Sequence, residues 1–226
     1  MALVEHKVFG DSPILVVAPH EGVSMVEVDG HRVRVGEPGT AYLARLAAKH
    51  IGGACLISRV PRMEADFARD PALLGKGASF RIAVSGKRVV LEGHKNKSYS
   101  GLLNKFHETI ERLDPRFILD FHRMSNRDVD VRLGFGADRR YIGGTERALE
   151  FKRQLLEKLA ARGVSLEVLV SRVRLTGESE FILNTHHRGR KAALVEFAER
   201  GFRDGVDPRY EEVARCLVEL ALEWIA

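Results

Sequence analysis

The run Pro13-Ile-Leu-Val-Val-Ala-Pro19 is too short for a helix and too apolar for a loop. Its β-branched residues and its flanking prolines mark a strand buried on both faces. Similar runs recur at 54–58 (ACLIS) and 117–121 (FILDF). The segments 129–136 and 166–171 also read as strands, and 192–198 (AALVEFA) as a strand or a buried extended segment. Amphipathic helical patterns separate them at 40–50, 100–113, 145–162 and 208–225. Buried strands alternating with covering helices predict an α/β chain of three layers, α/β/α, around a mixed, mostly parallel sheet. Two alternating segments, 24–35 around Asp29-Gly30 and 80–92 around Ser85-Gly86, read as β-hairpins inserted into that core.

The 226 residues contain no low-complexity tract or long linker, so residues 1–226 are expected to form one domain. No apolar run is long enough to cross a membrane, and the N-terminal segment lacks a secretory signal pattern. Cys55 and Cys216 both lie in apolar stretches, which predicts buried free thiols and a reducing, cytoplasmic setting. The net charge is +5, with local basic groups at Arg32, Arg34, Arg59, Arg62 and Arg69 and later at Arg139 and Arg140. Elsewhere the basic residues are interleaved with acids, which favours a small anionic substrate over nucleic acid as the partner.

In sheets of this kind ligands gather where the strands end. Strand 13–18 runs into Ala18-Pro-His20-Glu21-Gly22, and strand 117–121 runs into His122. Glu37 stands at the start of the helix 40–50. A carboxylate there can simply favour the helix dipole. Two imidazoles and one carboxylate are also the donor set of a catalytic zinc. Asp120, two residues before His122, shares its face in an extended segment and is placed to fix that imidazole's tautomer. Glu21 is the rival carboxylate, but neighbours in an extended segment point apart, which ranks it below Glu37.

"GEPGTAYLARLA" resembles a segment of the aspartoacylase and succinylglutamate desuccinylase group, which has the zinc-carboxypeptidase-like fold. "PHEG" and "SRVPRMEADFARDP" (58–71) resemble segments of the N-formylglutamate amidohydrolases, which share that fold. The spacing departs from the aspartoacylase pattern, in which His and Glu stand three residues apart. Here His20 and Glu37 are separated by the hairpin 24–35, which returns the chain toward its start.

The resemblance implies a phosphorylase/hydrolase-like fold and one zinc ion held by His20, Glu37 and His122. It implies amide hydrolysis with Glu196, in "AALVEFAERG", as catalytic acid–base. Asp66 and Arg69 match the Asp and Arg of the formylglutamate segment, and Ala68 replaces its usual Asn. Arg59 and Arg69 would then clamp a substrate carboxylate, with Asp66, Arg123, Asn126 and Tyr141 as further substrate contacts in the pocket and His186 and His187 at its mouth. A carboxypeptidase-like peptidase and a non-catalytic anion- or RNA-binding protein on the same scaffold are the competing readings.

Overall fold

The structure, a computed structural model, describes residues 2–28, 30–84, 87–125, 128–171 and 181–226. Among these residues eleven strands run β1 (Val4–Val8), β2 (Ile14–Ala18), β3 (Ser24–Val28), β4 (His31–Val35), β5 (Ala54–Ser58), β6 (Ala78–Val84), β7 (Lys87–Gly93), β8 (Phe117–Met124), β9 (Val131–Gly134), β10 (Val168–Val170) and β11 (Lys191–Ala198). Seven of them form one sheet in the order β1-β5-β2-β8-β11-β9-β10. Strands β5, β2, β8 and β11 are mutually parallel, as are β9 and β10. Antiparallel pairing occurs at β1–β5 and at β11–β9, so the sheet is mixed and mostly parallel.

Every residue of β2 and β5 is buried, as strands covered on both faces require. Helices α1 (Thr40–His50), α3 (Thr145–Ala161) and α5 (Pro208–Ile225) cover one face through Leu43, Leu155 and Leu217. Helices α2 (Ser100–Leu113) and α4 (Phe181–His186) cover the other through Phe106, Ile110 and Leu183. The expected three-layer α/β/α architecture is therefore present. Among the described residues, no helix is long and apolar enough to cross a membrane. Both cysteines are buried and free, and burial pushes each thiol up to about 11.

Three features differ from the sequence reading. Strand β1 was not expected, because Glu5-His6-Lys7 interrupts its apolar pattern. It is an edge strand with one side toward solvent, so it needs no continuous apolar face. Helix α4 was also not expected. Strand β8 runs on to Met124, so His122 lies within the strand rather than beyond it. Its pairing with β11 continues through His122↔Glu196 to Met124↔Ala198.

That extension decides which way His122 faces. Phe117, Leu119 and Phe121 enter the core beneath α1 and α5, whereas Ile118 enters the core beneath α2. Alternation then places Asp120 and His122 on the α2 side.

The two hairpins, β3–β4 and β6–β7, form separate two-stranded sheets. The tip residues Asp29 and Ser85-Gly86 lie outside the described residues. The neck of the first hairpin positions the site. Ser24 pairs with Val35, and the Glu37 N–H donates to the His20 carbonyl at 2.7 Å. Gly36 makes the closure possible: its φ is 146°, and a Cβ there would lie 2.3 Å from the Gly22 carbonyl oxygen.

Gly36→Ala should therefore destabilise the chain by about 2 kcal/mol or more, read by thermal or denaturant unfolding. Gly30, with φ 75° and open space around it, is the control. Gly30→Asn should cost under about 1 kcal/mol, because Asn tolerates the left-handed region. Equal stability of the two variants would show that the neck is not under this steric constraint.

Candidate metal centre

His20, Glu37 and His122 meet at the ends of β2 and β8, all buried, with their ligand atoms within 4.8 Å of one another. His20 Nδ1 lies 3.0 Å from Glu37 Oε1, and His122 Nδ1 lies 3.0 Å from Oε2 of the same carboxylate. The Arg123 backbone N–H donates to Oε2 at 3.1 Å. The two rings contact edge to face, with centroids 4.9 Å apart.

The outer nitrogens of both rings face further carboxylates. His20 Nε2 is 2.6 Å from Asp66 Oδ1, and His122 Nε2 is 3.1 Å from Asp120 Oδ1. An ionised carboxylate only accepts hydrogen bonds, so His20 Nε2 donates to Asp66. His122 Nε2 and Asp120 are in ion-pair contact without hydrogen-bond geometry. In neutral imidazoles protonated on these outer nitrogens, each Nδ1 would turn a lone pair inward. Two inward lone pairs facing one anionic carboxylate are incompatible unless a cation lies among them, either extra protons or a metal ion. Two nitrogens and one oxygen, with carboxylates behind the imidazoles, are the donor set and the supporting arrangement of a zinc site. The residues fit the ion.

Without a metal, protons fill the role. Burial opposes charge on Glu37, but the imidazoles of His122 and His20 outweigh it and hold the carboxyl well below its usual range. Burial also opposes charge on His122. Asp120 and Glu37 outweigh it and raise the imidazolium well above the usual histidine range. Asp66 is likewise held low against its burial, by His20, Arg62 and Arg69.

Asp66 was expected to contact substrate. The structure instead makes it the hub behind His20. It accepts from Arg62 Nε and Arg69 Nε at 3.1 Å each and from the Ala68 N–H at 3.0 Å. Its own N–H donates to His94 Nδ1 at 2.9 Å, and His94 is fully buried. Glu21 takes the helix-capping role that sequence alone could have given to Glu37. It accepts from the N–H groups of Gly39 (3.3 Å) and Ala41 (2.9 Å) at the start of α1.

The remaining candidates separate. Arg59 donates to Glu5 at 3.1 Å, and Arg45 of α1 donates to the same carboxylate. By alternation Arg59 shares the face of Ile57, which packs in the α1 core, so it does not join the triad. Arg69 is bound by Asp66 and by the Ser79 carbonyl. Arg62, which the sequence reading noted only among local basic groups, places Nη1 3.5 Å from Glu37 Oε1.

Arg123 meets Glu37 through its backbone, while its guanidinium turns away to the Pro38 carbonyl and Glu199. Tyr141 is buried in the α2 core and hydrogen-bonded to Asn184, apart from the triad. His186 packs against His107 and Glu111, and His187 against Tyr141, so neither forms a mouth to the triad. Asn126 lies outside the described residues.

Glu196 is the register partner of His122 on the neighbouring parallel strand. It projects from β11 on the face of Leu194, the α2 side. Glu196 is not alone on that face: it pairs with Arg132 of β9. Arg132 escaped the sequence reading, although it is the polar residue of an otherwise apolar strand.

No protein-family model matches the sequence, and no curated protein matches it significantly. Solved structures do match. The gene product Atu2144 from Agrobacterium tumefaciens superposes with a TM-score of 0.64 at 15% identity, covering 98% of this chain and 93% of that one. The N-formylglutamate amidohydrolase from Ralstonia eutropha JMP134 superposes with a TM-score of 0.59 at 15% identity, covering 100% and 98%. At this identity the likeness is one of fold. The chain has the phosphorylase/hydrolase-like fold of an N-formylglutamate amidohydrolase, as its motifs suggested, and a buried His20-Glu37-His122 triad consistent with a zinc site.

Glu37→Gln should lower zinc affinity by about tenfold or more, whereas Glu21→Gln should cost about 1 kcal/mol of stability and keep its zinc. Metal analysis that finds the reverse would exchange the two roles. Zinc must also displace the proton that His122 holds at neutral pH, so affinity should fall as pH falls. Zinc binding at pH 7 should release on the order of one proton, measurable by calorimetry in buffers of different ionisation enthalpy. Binding without proton release would contradict the assignment of His122.

Proposed function

We propose that this chain is a zinc-dependent amidohydrolase that cleaves the amide of a small carboxylate-bearing molecule, N-formylglutamate or another N-acyl amino acid. The observation that carries the reading is the convergence of His20 Nδ1, His122 Nδ1 and the Glu37 carboxylate, with Glu196 in register beside His122. The amidohydrolase from Ralstonia eutropha, whose fold this chain shares, supplies the reaction class. Bound at the triad, zinc supplies a Lewis acid that lowers the pKa of a coordinated water toward ~7.

The chain's own groups do the rest. Asp66 holds the His20 imidazole in the tautomer that turns Nδ1 inward, and Asp120, 3.1 Å from His122 Nε2, stands behind the second ring as a counter-charge. Strand spacing sets the Glu196 backbone ~4.8 Å from that of His122, so its carboxylate can take a proton from the attacking water and return it to the leaving amine nitrogen. Arg132 orients Glu196 and offsets its charge while it is ionised. Arg62 retains 24% side-chain exposure beside Glu37, and its guanidinium is placed to bind the substrate carboxylate. Arg69, 7% exposed, backs Arg62 through their shared partner Asp66.

The test is an assay of the zinc-loaded chain against a panel of N-acyl amino acids and short peptides. Hydrolysis of an N-acyl amino acid supports the reading; turnover of peptides alone would replace it with a carboxypeptidase-like peptidase. Glu196→Gln should keep its zinc and lose kcat by about 10²–10⁴-fold. Arg62→Ala should raise KM about tenfold or more with zinc retained. Full turnover in Glu196→Gln would remove that residue from the mechanism.

A further inference from the structure

A cleft of about 540 Å³ opens beside the Glu37 loop, lined by Arg34, Pro38, Arg123, Glu199, Phe202 and Arg203 among others. None of the three triad side chains lines it. Its volume is in the range of small-molecule sites. Three guanidiniums face one carboxylate there, so the cleft carries a positive excess. Arg34 and Arg203 are exposed and form no ion pair among the described residues. Arg123 is half-buried, paired with Glu199 at 3.1 Å and stacked 4.7 Å over the Phe202 ring.

The wall is built closely. A Cβ on Gly39 would lie 2.5 Å from Phe202 Cδ1, so only glycine at this position lets the ring close against the α1 start. Phe202 gives the cleft an apolar surface beside its cations.

We propose that this cleft is a second small-molecule site, for a ligand bearing a carboxylate or phosphate group. Arg34 and Arg203 would bind the oxyanion at the rim, and low-dielectric walls would concentrate the field of the three cations on it. The site is coupled to the metal centre by covalent and hydrogen-bonded contacts. Arg123 donates through its backbone to Glu37 and through Nη1 to the Pro38 carbonyl at 2.9 Å. An oxyanion that draws Arg123 from Glu199 therefore acts on the residue beside His122 and on the loop that carries Glu37.

The proposal is tested by titrating inorganic phosphate and, separately, glutarate into the zinc-loaded chain. NMR of the arginine side chains, the phenylalanine rings and the histidines reports the location of binding. The expected result is saturable shifts at Arg34, Arg203 and Phe202 with at least one probe. The double substitution Arg34→Ala/Arg203→Ala should weaken that binding about tenfold or more. Saturation by phosphate alone assigns a phosphoryl ligand, and saturation by glutarate alone a carboxylate ligand. Both substituted side chains are exposed, and unchanged zinc content with unchanged resonances elsewhere verifies that the double variant is folded. Absence of saturable binding by either probe overturns the proposal. So do shifts confined to His20 and His122 that the double substitution leaves intact, which would mean direct ligation of the metal. No turnover is measured, so the outcome is independent of the hydrolase reading.

Discussion

Two imidazole nitrogens aimed at a single carboxylate set the terms for the rest of this structure. His20 and His122 each approach one oxygen of Glu37 through Nδ1, and each has a carboxylate behind Nε2. Three anions, Glu37, Asp66 and Asp120, are thereby buried around two rings. An arrangement with so many buried acceptors is tolerable only with positive charge at its centre. The protonated His122 imidazole serves that need in the metal-free chain, and a divalent cation would serve it in the proton's place. The same acidic surroundings that protonate His122 also attract the metal that replaces its proton.

The scaffold holds these groups by ordinary means. Parallel strands β2 and β8 are neighbours, so two histidines distant in sequence emerge side by side. The hairpin between His20 and Glu37 adds residues without adding distance, because its neck closes through the Glu37 N–H and Gly36. The loop after β5 then brings Asp66 behind His20, with Arg62 and Arg69 distributing its charge. Glu21, one residue from His20, is turned to the opposite task of capping α1.

Much of this was legible in the sequence, and the exceptions follow a rule. Buried strands announce themselves by unbroken apolar runs, so the layers and the two strand-end histidines could be found without coordinates. Asp120 was legible because two residues along an extended strand return a side chain to the same face. The ranking of Glu37 over Glu21 rested on the same alternation, and the geometry places the two carboxylates accordingly. Partnerships across long separations were not legible. Nothing local says that Asp66 will back His20, that His94 will support Asp66, or that Arg132 will reach Glu196. Arg59 differs for another reason: the family resemblance implied a clamp there, but strand parity turns its side chain to Glu5. Tyr141 sits in the core because its ring closes over Gly136, a contact invisible to any periodicity.

The central claim is that one zinc ion sits among His20 Nδ1, His122 Nδ1 and the Glu37 carboxylate. A crystal structure of the zinc-loaded chain with anomalous scattering measured at the zinc edge tests it directly. The account predicts a single strong anomalous peak ~2.0–2.1 Å from both Nδ1 atoms and ~2.0–2.2 Å from a Glu37 oxygen, with Asp66 and Asp120 still on the two Nε2 atoms. A peak bound through either Nε2, a peak centred on Glu21, or no zinc at the triad would contradict it.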